Sequence, residues 1–224
     1  MDRKVITQKR IIFSTLSILM LLAAVSQVNA QQASHPANSM WIEPASIYLT
    51  PENASIGYKF NITIWLNISD IKFYSYSIGL LYNRTILKAT KAGFTYNFTA
   101  GHDTASAGPI IDTSYLGNGS VLATESCKGE DYIQGPKIGT LIWIEFEVTK
   151  TPEEGQTLTS LLDITTCYPE DTWVMDYNLE YVELEGFNAF YQFVSEFNVL
   201  LISIATALIT SLIVALKVKS KRKH

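Results

Sequence analysis

Two cysteines and three histidines in 224 residues leave little for metal or nucleophile chemistry. His35 and His224 lie toward the ends, and Cys127, Cys167 and His102 alone do not make a zinc site. His102, in the loop GHDTASAGP (101–109) beside Asp103 and near Ser106, is the one candidate base. No Gly-x-Ser-x-Gly turn supports a nucleophile for it, and the sequence points to an exposed loop histidine. Basic residues are scarce where they would matter. The net charge of −4 hides this, because residues 31–194 hold 19 Asp and Glu against 8 Lys and Arg, a net of −11. Five of the acids lie in residues 31–124 and 14 in residues 125–194. Such a surface repels phosphate backbones, which excludes nucleic acid as a partner. No pair among the 14 acids stands out for glycoside hydrolysis. Internal repeats and low-complexity segments are absent.

Two long uncharged runs are present, each with basic residues on one side. Arg3, Lys4, Lys9 and Arg10 precede IIFSTLSILMLLAAV (11–25), which leads to the small-x-small end Val28-Asn29-Ala30. This pattern is that of a secretory signal peptide over 1–30, cleaved between Ala30 and Gln31; an uncleaved anchor helix is the other reading. The second run, 197–216, is followed by KVKSKRKH (217–224). Twenty residues at about 1.5 Å each span about 30 Å, a hydrocarbon core. The expectation is a single-pass protein of the cell membrane, with the middle region outside and the basic tail cytoplasmic. Phe187, Phe190, Tyr191, Phe193 and Phe197 fit either an interfacial aromatic belt or a last strand packed into the domain.

Six N-x-[ST] sequons, at Asn53, Asn61, Asn67, Asn83, Asn97 and Asn118, all lie between 53 and 118. Composition alone would give about two, so the set points to N-glycosylation of an exported chain. In an oxidising compartment Cys127 and Cys167 are expected to pair, closing a loop of about 41 residues worth about 4 kcal/mol; two free thiols are the alternative.

QQASHPANSM (31–40) reads as a mobile lead, and from Trp41 the pattern has period two. In YKFNITIWLNI (58–68) the aromatic and branched residues alternate with Lys59, Asn61, Thr63, Trp65 and Asn67. In TLIWIEFEVT (140–149), Ile142, Ile144, Phe146 and Val148 alternate with Leu141, Trp143, Glu145 and Glu147. Further strands are expected at 43–49, 73–82, 86–94, 110–116, 120–127, 158–166 and 180–191. About nine short strands broken by Gly, Pro, Asn and Asp imply an all-β sandwich.

Residues 41–93 resemble the opening of a cohesin-like domain, with Tyr82-Asn83-Arg84-Thr85-Ile86-Leu87 in place of the family's Tyr-Asp-Pro-x-x-Leu. GTLIWIEFEVTK (139–150) resembles its Gly-x-Leu-x-x-Ile-x-Phe-x-Val strand, and Glu185-Gly186-Phe187 its Asp-Gly-aromatic. The resemblance covers 41–191. It implies a nine-stranded jelly-roll sandwich, shared with carbohydrate-binding modules, that binds a partner and is not a catalyst. Classical cohesins bind calcium-loaded dockerins; no D-x-[DN]-x-[DN]-G loop occurs in this chain. Residues 192–196 would then be a juxtamembrane segment. Ser195-Glu196-Phe197 before the apolar run resembles the Pro-Glu-Phe sorting signal of some archaeal surface proteins.

Two surfaces follow from the strand pattern. Trp65 and Trp143 point outward on strands that the resemblance makes neighbours, a platform for sugar rings. Phe73, Ser75, Ser77, Gly79 and Leu81 are expected outward in the opposite sheet, the face the resemblance would offer to a protein. Glu130-Asp131, Glu170-Asp171 and Asp176 supply oxygen ligands suited to calcium, at spacings that match no defined loop. Binding of a dockerin-like or other protein at the cell surface is the first expectation, carbohydrate binding the second, and a structural envelope subunit the third.

Overall fold

The first strand of the domain breaks at Pro44, which has no N–H to give to a ladder, and the break moves the chain from one sheet to another. In the computed structural model, which describes residues 35–112, 117–165 and 171–195, the domain begins at Pro36. The two apolar runs, Cys167, Glu170, Glu196 and Phe197 lie outside the described residues. The strands are β1 (Ser39–Glu43), β2 (Ser46–Leu49), β3 (Lys59–Ile68), β4 (Lys72–Tyr82), β5 (Leu87–Phe94), β6 (Thr104–Asp112), β7 (Gly119–Cys127), β8 (Ile133–Gln134), β9 (Lys137–Val148), β10 (Thr157–Leu162), β11 (Trp173–Asp176), β12 (Glu185–Phe187) and β13 (Ala189–Val194). No α-helix occurs among the described residues.

One sheet has the order β12-β1-β3-β9-β5, a second β10-β13-β2, and a third β11-β4-β7-β6 with β8 on β4. β1 runs parallel to β12, and β2 parallel to β13, so the first and last strands cross together from the first sheet to the second. Thirteen strands appear among the described residues where nine were expected, because both of these are split and β8 and β11 add short pairings. β1 starts two residues before the expected boundary and buries Met40. β13 runs to Val194, so Phe193 and Ser195, read as part of a juxtamembrane segment, belong to the domain.

The alternation of β3 is realised. Ile62, Ile64, Leu66 and Ile68 are buried, and the residues between them are exposed or half-buried. β9 departs from its expected pattern at Leu141, which is buried. The register between β3 and β9 shifts there: Ile64 faces Ile142 and Trp65 faces Thr140, leaving Leu141 as the extra residue of a bulge. Aromatic rings tie the three sheets together. Tyr82 of β4 meets Phe146 of β9 edge-on at 5.0 Å, Phe146 stacks on Phe60 of β3, and Phe60 stacks on Tyr191 of β13 at 5.7 Å. Tyr191 and Phe193 are therefore core residues of a last strand and not members of a membrane belt.

Candidate binding face

The third sheet presents a broad outer surface with a floor of small side chains. β4 turns Tyr76, Ile78, Leu80 and Tyr82 into the core, and β7 does the same with Val121, Ala123, Glu125 and Cys127. The alternate positions face outward in rows across the strands. Met175, Ser75, Ser126 and Ala105 form one row, and Trp173, Ser77, Thr124 and Ala107 the next. Gly79, Leu122 and Ile110 form a third. The Ser77 and Thr124 hydroxyls are bonded at 3.0 Å. Trp173 and the exposed Tyr181, edge to face at 6.3 Å, wall one side, and Ile110, 59% exposed, walls the other. The result is a shallow trough with hydroxyls and methyls below and apolar rims.

Ile110 reaches this face through a bulge. Ala107 pairs with Thr124 and Ile110 with Leu122, so Gly108 and Pro109 together stand opposite the single Ala123. Gly108 has φ +93°, and a Cβ there would lie 2.7 Å from the Leu122 carbonyl oxygen. Only glycine fits both conditions.

The expected partner residues are corrected in part. Phe73 is a core residue, edge-on to Phe98 at 5.0 Å, because the pairing of β4 with β11 slips between Met175 and Asp176 and reverses the side it faces. Ser75 and Ser77 do face outward, but as a floor screened by larger neighbours they are 4% and 9% exposed. Leu81 is buried where backbone bonds join it to Asp163. Trp173, Leu122, Thr124 and Ile110 were not singled out from the sequence. The only signal for Ile110 was the Gly-Pro step before it.

On the outer surface of the first sheet, Trp65 and Trp143 do share a face on neighbouring strands. Thr140 lies across from Trp65, and Thr63 across from Trp143. The two indoles are nonetheless individually occupied. Trp65 stacks on Trp41 at 5.9 Å and 14°, and its N–H donates to Thr63 Oγ1 at 3.0 Å. Trp143 lies over Gly93, where a Cβ would fall 2.7 Å from its ring nitrogen. On the same face Glu145 accepts bonds from Thr90 and Lys59, which hold its carboxyl below the usual range.

The sequons are placed unequally. Asn61 and Asn67 stand on β3, on the face of Trp65. Asn53 and Asn97 are exposed in loops, and Asn83 and Asn118 flank the Tyr82–Gly119 end of the third sheet. None lies on a strand of that sheet.

Other candidate groups are committed to structure. His102 Nδ1 and Asp131 Oδ1 are 3.0 Å apart, and Asp131 also accepts the Asp103 N–H; the histidine contact comes first among the causes that lower the Asp131 carboxyl. Buried Glu125 accepts from Tyr76 at 2.8 Å, Thr104 at 2.8 Å and Thr99 at 3.1 Å, and burial followed by this carboxylate raises the Tyr76 phenol. Asp176 caps its own turn through the Asn178 and Glu180 N–H groups. No group of three or more His, Cys, Asp or Glu converges among the described residues. The expected disulfide is not formed: Cys127 is a free, buried thiol within the core cluster. Ser195 is buried and accepts the Gly155 N–H at 2.9 Å, which fixes it to the domain.

The fold and the trough define a class, an all-β domain with a broad open sheet face. No family model matches the chain. No curated protein matches it. Among solved structures it is similar to a non-cellulosomal cohesin from the archaeon Archaeoglobus fulgidus, with 13% identity, 72% of this chain and 94% of that one covered, and a TM-score of 0.47. It is also similar to a cohesin–dockerin complex structure from Clostridium thermocellum, with 12% identity, coverage of 73% and 98%, and a TM-score of 0.49. A structure of the third cohesin ScaC with the ScaB dockerin from Acetivibrio cellulolyticus gives 11% identity, coverage of 69% and 99%, and a TM-score of 0.49.

Proposed function

We propose that this chain is an exported, membrane-anchored binding protein that docks another protein on the outer face of its β11-β4-β7-β6 sheet. The observation that carries this reading is the trough itself. Thr124, Ser126, Ala105 and Ala107 leave a flat floor that a partner helix or strand can approach closely, beside the screened Ser75 and Ser77 and between the Trp173–Tyr181 wall and Ile110. Interfaces of this kind draw their energy from aromatic and aliphatic anchors around a desolvated centre. The placement of the sequons supports the same face, because glycans on Asn61 and Asn67 would crowd the other large sheet. The signal-like run and the apolar run with its basic tail support export and anchoring with the domain outside.

The test uses the full chain, immobilised and exposed to native cell-envelope extract with and without calcium. A protein held by the wild type, lost with Thr124→Arg and retained with Trp65→Ala is the expected result. Capture of nothing, or capture indifferent to Thr124→Arg, overturns the reading. Carbohydrate binding is the second reading, favoured by the shared face of Trp65 and Trp143. A glycan array on which no sugar is retained, or on which Trp143→Ala changes nothing, removes it.

A further inference from the structure

The pairing of Trp65 with Asn67 has a chemistry of its own. Residues two apart in a strand point to the same face with their side chains about 7 Å apart. Asn67-Ile68-Ser69 is a sequon, and of the six it alone has a tryptophan two residues before its asparagine. A sugar joined to Asn67 Nδ2 emerges beside the Trp65 ring.

The ring is prepared for such a neighbour. Trp41, itself 2% exposed, backs one face of the Trp65 indole, and the N–H bond to Thr63 fixes its rotation. The pyrrole N–H and the fused six-membered ring lie on opposite sides of the indole's attachment to Cβ. With the N–H turned back to Thr63, the six-membered ring is the part on the Asn67 side. Asn67 is also oriented, because Nδ2 donates to the Pro36 carbonyl at 3.0 Å. A glycosylated amide keeps one N–H, so that bond is compatible with a sugar on the same nitrogen. The electron-rich ring face attracts the C–H side of a sugar, and a sugar already tethered to the chain meets it at high effective concentration.

We propose that Trp65 is the seat for the first sugars of an N-linked glycan on Asn67, so that this platform binds the chain's own carbohydrate. The aromatic face is then covered by its own glycan, and the trough on the third sheet stays open.

The full chain made in a host that glycosylates N-x-S/T sequons, and again in one that does not, provides the test. Glycopeptide mass spectrometry is expected to find Asn67 occupied. NMR is expected to show C–H signals of that glycan shifted upfield by the indole ring current. Ser69→Ala removes the sequon and keeps Asn67 with its bond to Pro36. In the glycosylating host it is expected to lower Tm by about 2–4 °C, and in the other host to change nothing. In a Trp65→Ala background the same substitution is expected to have no effect. Unmodified Asn67 overturns the proposal, as does an occupied Asn67 without upfield sugar signals or with additive Ser69→Ala and Trp65→Ala effects. The NMR comparison decides the matter if Trp65→Ala fails to fold. Partner capture through the trough is a separate readout, so either proposal can fail without the other.

Discussion

Cys127 shows how a side chain's surroundings decide its chemistry. It closes the inward series of β7 among apolar neighbours, and burial pushes its thiol up to about 11, with Asp131 and Glu125 adding to the effect. A thiol raised in this way contributes stability that is fully present below its unfolded pKa of about 8.5 and is lost as pH rises toward 11. Chemical denaturation from pH 8 to 11 is expected to show falling stability, and Cys127→Ala is expected to flatten the dependence. Thiolate-directed reagents at pH 8 are expected to label Cys127 only after denaturant is added. Glu125 is the neighbouring case. Its three hydroxyl partners replace the solvent it has lost, and Glu125→Ala would leave all three without their acceptor. A loss of about 2–3 kcal/mol by urea denaturation is expected, since each buried polar group left unpaired costs about 1–3 kcal/mol and relaxation recovers part of it.

At the scale of elements, bulges decide which residues reach the surface. In a strand without the bulge at Leu141, Trp143 and Thr140, three residues apart, would lie on opposite faces of β9. Without the bulge at Gly108-Pro109, Ala107 and Ile110 would do the same on β6. Gly108→Ala places a Cβ against the Leu122 carbonyl in a backbone region that disfavours side chains. It is expected to cost about 1–3 kcal/mol by chemical denaturation and to weaken partner capture by displacing Ile110. Gly93 sets a comparable limit on the other sheet, since any side chain there would lift the Trp143 ring.

For the whole molecule, the two large sheets give their outer surfaces different chemistry. One is aromatic and holds two sequons on β3; the other is a small-residue trough with no sequon on its strands. The first and last strands cross between sheets side by side, which joins the ends of the domain to one another. Thr124→Arg is therefore expected to abolish partner capture while lowering Tm by only a few degrees, because the substitution adds charge to an outer face and costs one hydroxyl bond, that to Ser77. Melting curves measured alongside the capture experiment check this.

The alternation of β3, a strand over 120–127 and the all-β character follow from the sequence alone, because period two is a local property of an extended chain with one wet face. The sequons and the scarcity of metal ligands are likewise read directly from residue types. Tertiary structure decided the rest. A bulge reverses the side chains beyond it, and nothing local announces one in Leu141 or in Tyr74, the extra residue of β4 between Ser75 and Phe73, so Leu141 and Phe73 turned inward against the pattern. Small residues such as Ser75 and Ser77 sit on an outer face yet are screened by Trp173 and its neighbours, which come from a strand about 100 residues further along. Whether an indole is a platform or a packed side chain depends on what lies beside it, and Trp41 and Gly93 were brought there by strand pairing across the sheet.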